Sequence, residues 1–167
     1  MDGLDEKVAR LFREHSCRTL KQMTEQLGAC VARLTDRQVW QRGAAHENAI
    51  GNLVLHLCGN MRQWVMHGVG GQPDVRTRDA EFAAQGELTG VELMELFRAT
   101  VAEASAVIAQ TPAARLVERT TPQGRDVSVL DAIYRVVGHV QQHVGQAILL
   151  TKQMVGEDLD LTIPRMR

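Results

Sequence analysis

Two histidines four residues apart, His139 and His143, stand in a segment that otherwise reads as buried helix: Val136-Val137-Gly138-His139-Val140-Gln141-Gln142-His143-Val144-Gly145-Gln146. Four residues turn an α-helix by about 400°, so both imidazoles leave one face, one turn apart. One helix commonly offers two nitrogens to one metal ion in this way. The same spacing also fits two unconnected histidines, one packed in a core and one solvated, and the segment alone does not choose between them.

A third candidate lies upstream. The second predicted helix is apolar almost all round (Ile50, Leu53, Val54, Leu57, Met61, Val65), as a helix buried on most sides must be. Yet Asn52, His56, Asn60 and Gln63 follow one another at steps of four, four and three and draw a polar line along it. The last helix repeats the pattern, with Asp131, Arg135, His139, Gln142, His143 and Gln146 on one stripe. Unpaired polar groups in a core cost a few kcal/mol each, so two such stripes are best placed facing each other or lining a wet cavity. The alternative for each is an ordinary solvent face, which would be richer in Glu, Lys and Arg. If the stripes meet, His56 approaches His139 and His143. Three neutral imidazoles bind a first-row divalent ion and leave a position open for water or substrate. Asn52, Asn60, Gln142 and Gln146 would then orient ligands or hold substrate; plain helix-to-helix hydrogen bonding fits them equally well.

Other chemistries fit less well. No Glu follows His139, which excludes a zinc-protease HExxH site. Neither histidine has a Glu three residues before it, as a ferritin-like di-iron site needs. Cys58 lies about 200° round the helix from His56 and is a poor co-ligand. Asp131 and Tyr134 are too far along the helix to be assumed as an acid or base, and no phosphate-binding loop or Ser/Cys nucleophile motif is evident.

The elements that must position these residues read as four helices. Apolar residues at three- and four-residue steps predict the first over residues 4–34, with His15 half-buried beside its apolar stripe. Asn48 is the expected N-cap of the second, which runs to His67 and stops at Gly68-Val69-Gly70-Gly71-Gln72-Pro73. A polar connection over residues 75–88 holds one helical turn at Arg78-Asp79-Ala80-Glu81-Phe82. Thr89 and Glu92 form a capping box for a third helix over residues 90–110, closed by Thr111-Pro112. Residues 116–127 read as a small hairpin or an extended loop. Ser128 opens a fourth helix that Gly156 ends, and the tail from Glu157 to Arg167 reads as extended. The expectation is an all-α four-helix bundle with long connections, one domain over residues 1–167. Connections of 10–20 residues exceed what a bundle needs and are natural walls for a pocket.

Bulk properties narrow the partners. A net charge of −1, with no cationic block, argues against nucleic acid. No apolar run approaches the roughly 20 residues that cross a bilayer, and the N-terminus has no signal-peptide pattern. Cys17, Cys30 and Cys58 lack any CxxC spacing and read as free thiols of a cytoplasmic protein.

The segment His56-Leu57-Cys58-Gly59-Asn60-Met61-Arg62-Gln63-Trp64, the element Arg78-Asp79-Ala80-Glu81-Phe82 and the HxxxH-x-Gly-Gln of residues 139–146 together resemble the DinB-like (YfiT-like) superfamily of metalloenzymes, over nearly the whole chain. The resemblance implies a four-helix bundle, often a homodimer, with a divalent ion such as zinc or nickel on His56, His139 and His143. It further implies a small-molecule substrate and chemistry that uses a low-molecular-weight thiol, as in thiol-dependent transferases and isomerases. A thiolate for S-transfer and a hydroxide for hydrolysis both suit such an ion. A metal- or small-molecule-binding bundle without turnover, or a purely structural one, are the alternatives from other classes.

Overall fold

The computed structural model describes residues 2–44 and 46–161. It is an all-α bundle of α1 (Asp2–Val31), α3 (Ile50–Met61, prolonged by a π-helical segment Arg62–His67), α5 (Gly90–Gln110) and α6 (Val129–Val155). Two short helices, α2 (Asp36–Val39) and α4 (Arg78–Ala83), lie in the connections. A two-residue ladder joins β1 (Arg119–Thr120) to β2 (Val127–Ser128), antiparallel, with Arg119 opposite Ser128. Of the hairpin or extended loop expected before the last helix, the chain forms the hairpin. The expected tail lies largely outside the described residues, which stop at Leu161.

Most helix ends follow from their capping residues. Thr89 and Glu92 satisfy each other's free backbone donors at the start of α5. Ser128 accepts from Asp131 N–H to open α6, and Gly156 ends it at φ 74°, a conformation that suits a residue without Cβ. Asn48 is not the cap of α3. Ala49 holds that position, and Asn52 reaches back to accept its N–H at 3.2 Å, so the asparagine inside the helix does what a capping side chain ahead of it would have done.

The helix directions explain the long connection between α3 and α5. The end of α3 lies by the end of α5, since a Cβ on Gly70 would meet Val107. The start of α5 lies by the end of α1, where Gly90 N–H donates to Asp36 Oδ1. Thus α3 and α5 run parallel, and residues 68–89 must return along the bundle before α5 can begin, as a crossover does. This crossover carries Arg76 and α4 back past His56.

Phe97, Leu20, Leu27, Ile50, Leu57, Met61, Leu93 and Ile133 fill the centre with almost no exposure. Leu4, Val8 and Leu11, which continue the apolar stripe of the first helix, stay exposed. His15 is exposed too, a correction to its expected half-burial. Among the described residues no helix is long and apolar enough to cross a membrane, and all three cysteines are free.

Candidate metal centre

His56 from α3 and His139 and His143 from α6 converge. One ligand nitrogen from each lies within 4.8 Å of the others, and His56 Nε2 is 2.9 Å from His139 Nε2. The ring centroids are 4.4–5.2 Å apart with the rings nearly edge to face. His56 is buried; His139 and His143 are half-buried, so the cluster is closed on the α3 side and open beyond α6.

That openness corrects one expectation. The α6 stripe is not interior: Arg135, Gln142 and Gln146 are exposed, and its two histidines, like Asp131, are half-buried. The α3 line lies deeper, with Asn52 and His56 buried and Asn60 and Gln63 half-buried, and its residues separate into distinct tasks. Asn52 does not touch the histidines. Its amide donates to Glu81 O and Ala84 O and its oxygen accepts from Arg42, pinning the crossover to α3. Gln63 accepts from Arg76 Nη1 at 3.0 Å. Asn60 lines a cavity beside His139, and its Oδ1 is buried without a partner among the described residues.

The crossover supplies what spacing arguments missed. Glu81 Oε2 lies 3.0 Å from His56 Nδ1, and Arg76 grips the same carboxylate in a two-pronged fork, Nε to Oε1 at 2.7 Å and Nη2 to Oε2 at 2.8 Å. Arg76 Nη2 also lies 3.1 Å from Nδ1, but an ionised carboxylate only accepts, so the tautomer that pairs His56 with Glu81 has its proton on Nδ1 and turns a bare Nε2 toward the cluster. Gln146 Oε1 does the same for His143, accepting from Nδ1 at 2.7 Å. Two of the three rings are therefore tied through Nδ1, the arrangement that metal-ligating histidines show. The donor set fits a divalent ion that favours imidazole.

Phe82 covers the His56 ring at 4.8 Å between centroids. Burial raises the Glu81 carboxyl, but hydrogen bonds from Arg76 and His56, together with their charges, outweigh it and hold the group below its ordinary range. The element Arg78–Phe82 was part of the family resemblance, yet nothing in its spacing said that Glu81 would meet His56.

Gly59 explains itself here. A Cβ at that position would run into Glu81 Oε1, so the carboxylate lies directly on the α3 backbone. Gly to Ala inside a helix normally stabilises by about 1 kcal/mol. Gly59→Ala is expected to do the reverse, lowering the melting temperature and weakening metal uptake; an unchanged or raised melting temperature would show that Glu81 can move without loss.

Burial pushes His139 down to about 4, with the charges of His143, His56 and Arg76 adding to it. Burial also lowers His143, against the opposing hydrogen bond to Gln146. Both rings are thus neutral and ready to ligate at neutral pH. The unfolded chain binds the His139 proton near 6.5, whereas the folded chain resists it down to about 4. The stabilisation is therefore complete above about 6.5, declines as pH falls, and is gone by about 4. Melting of the metal-free protein across that range is expected to show this slope, and His139→Gln is expected to flatten it. Cys58, buried in α3, is pushed up to about 12 by burial and stays a protonated thiol.

Solved structures share this architecture at low identity. A DinB-like protein from Bacillus cereus is 17% identical, with a TM-score of 0.68 over 92% of this chain and 97% of its own. A conserved protein from Enterococcus faecalis is 15% identical, with a TM-score of 0.71 over 86% and 97%. The mycothiol-dependent maleylpyruvate isomerase is 15% identical, with a TM-score of 0.63 over 80% of this chain and 59% of its own, so the shared bundle is one part of a longer protein. These likenesses establish the DinB-like fold that the motifs implied. No curated protein matches the chain. The family model DUF1572, a protein of unknown function, matches residues 7–167, and the chain belongs to that family.

Proposed function

We propose that the chain is a metalloenzyme in which His56, His139 and His143 hold a divalent ion, zinc or nickel, and in which a low-molecular-weight thiol is activated for transfer to a small-molecule substrate. The observation that carries this reading is the convergence of three imidazoles within 4.8 Å, two of them tied through Nδ1 by acceptors. A divalent ion there supplies Lewis acidity that lowers the pKa of a thiol or water brought to its open position. The chain's own residues set the stage. Glu81 holds the Nδ1 proton of His56, Arg76 holds Glu81, Gln146 holds His143, and Phe82 shields the His56 ring.

Thiol transfer is favoured over hydrolysis by the open side of the cluster. The wall next to His139 carries Asn60, Trp64, Gln123, Arg125, Arg135 and Gln142, a set of amides, cations and an indole. Water attack benefits from a positioned proton acceptor, whereas a thiolate is nucleophilic once formed. The thiol dependence named for the similar isomerase supports the same choice. A cytoplasmic homodimer belongs to this reading, and analytical ultracentrifugation decides the assembly.

The test is consumption of bacillithiol, mycothiol or glutathione with a model electrophile by metal-loaded protein. Turnover with one of these thiols that disappears on chelation is the expected result. Hydrolysis of activated esters without any thiol would replace transfer by hydrolysis. Metal uptake with neither activity would reduce the chain to a binding module.

A further inference from the structure

The cavity beside His139, about 430 Å³, is large enough for a small metabolite. We infer that it binds a small carboxylate that also carries an N–H or O–H donor.

Charge is the first ground. Arg125 and Arg135 both line the cavity and no acidic side chain does, in a chain whose net charge is −1. Arg135 spends only Nε on Asp131, in an exposed pair, which leaves its terminal nitrogens without partners among the described residues. The Arg125 side chain has no hydrogen-bond or ion-pair partner among them; only its backbone N–H is used, donating to Pro122 O. Two free guanidinium forks suit a carboxylate, which accepts two parallel hydrogen bonds from one such group.

Asn60 is the second ground. Its Oδ1 is the buried side-chain oxygen left without a partner among the described residues. An unmade hydrogen bond of this kind is costly, and since Asn60 is half-buried on the cavity wall, a turn of its amide would bring the oxygen to a donor on the ligand. The wall opposite is held in an uncommon conformation. Gln123 has φ 54° and ψ 29°, a left-handed backbone that non-glycine residues seldom adopt, and its Oε1 accepts from Trp64 Nε1 at 3.2 Å. Trp64 itself lies in the π-helical segment, where Gly68 N–H donates to Gln63 O five residues back. Such segments and such strained residues concentrate at binding sites.

The pocket's place beside His139 makes its occupant a reactant of the proposed metal centre, and to that extent the inference rests on that reading; the binding itself does not. Calorimetric titration of the full chain, metal-free and metal-loaded, with N-acetylalanine, its amide and N-acetylcysteine is the test. N-acetylalanine is expected to bind the metal-free chain with a Kd near or below about 1 mM. The uncharged amide is expected to bind at least about 10-fold more weakly, and Arg125→Gln to weaken the acid by about 10-fold or more, as loss of a charge-assisted hydrogen bond does. Arg125 is exposed and unpaired, so its replacement leaves the fold intact. A Cβ on Gly138, which also lines the cavity, would meet nothing within 4 Å; Gly138→Leu is therefore expected to block the acid while melting stays unchanged.

Equal binding of acid and amide, or an Arg125→Gln variant with native affinity for the acid, overturns the inference. Acid binding without any ion uptake supports the pocket and removes the metal centre; ion uptake without acid binding does the opposite. A gain of about 10-fold for N-acetylcysteine over N-acetylalanine on metal loading supports the pocket as the seat of the thiol. Equal affinities support it as the seat of the other reactant.

Discussion

His56→Ala is expected to abolish stoichiometric metal in protein purified without a polyhistidine tag. The wild-type chain is expected to retain about one divalent ion after dialysis, the open three-ligand site being sufficient for tight binding. His56 is the ligand that α3 contributes, and without it His139 and His143 are left as a pair on one helix face. Losing a partner one bond removed from an ion typically weakens binding 10–100-fold, so losing a ligand should exceed about 100-fold. Elemental analysis per chain and competition with a chromogenic chelator give the two readouts. His15→Ala is the control, because that ring is exposed on α1 and stands apart from the cluster. Native metal content in His56→Ala would sink the three-histidine centre, whatever activity the protein shows.

Glu81→Ala is expected to produce the largest loss of stability, about 3–5 kcal/mol, because it strands the Arg76 guanidinium, whose side chain is 2% exposed, without its counter-charge. The same change removes the acceptor that fixes His56. Two further variants separate these roles. Glu81→Gln keeps the shape and one carbonyl oxygen; it should melt closer to wild type yet bind metal about 10–100-fold more weakly. Replacing the pair together, Arg76→Met with Glu81→Leu, removes both buried charges and should recover most of the stability without recovering the affinity. If the double variant binds metal as the wild type does, the ion pair only holds the crossover in place and does not tune His56.

How much of this could be read before any coordinates depends on the range of the interaction involved. The Thr89–Glu92 box, the Ser128 cap and the Gly156 stop are contacts within one turn of chain, and their residue types alone announce them. The same holds for the shared face of His139 and His143, which helix periodicity guarantees. His56 needed one step more, the recognition that a polar line on an otherwise apolar helix requires a polar neighbour. The glutamines of α6 show where that step overreaches. The periodicity is the same whether a stripe faces a neighbour or water, and in α6 it faces water, so Gln142 and Gln146 are exposed while the histidines beside them are half-buried.

The HxxxH pair began as two nitrogens on one turn and ends as part of a three-sided cluster held from behind by Glu81 and Arg76. Helix positions, the Thr89, Ser128 and Gly156 caps and the paired histidines were legible in the sequence, because each depends on neighbours a few residues away; the Asn48 cap was not, since Asn52 from inside α3 takes its task. The meeting of Arg76 and Glu81 with His56 depended on the fold. It requires α3 and α5 to run parallel, so that the chain between them returns past His56, and helix direction is set by packing across the whole bundle rather than by any local spacing. The same packing leaves Asn60 Oδ1 without a partner among the described residues and sets it on one cavity wall with Arg125 and Arg135, a combination from α3, the hairpin turn and α6 that no single stretch of sequence contains.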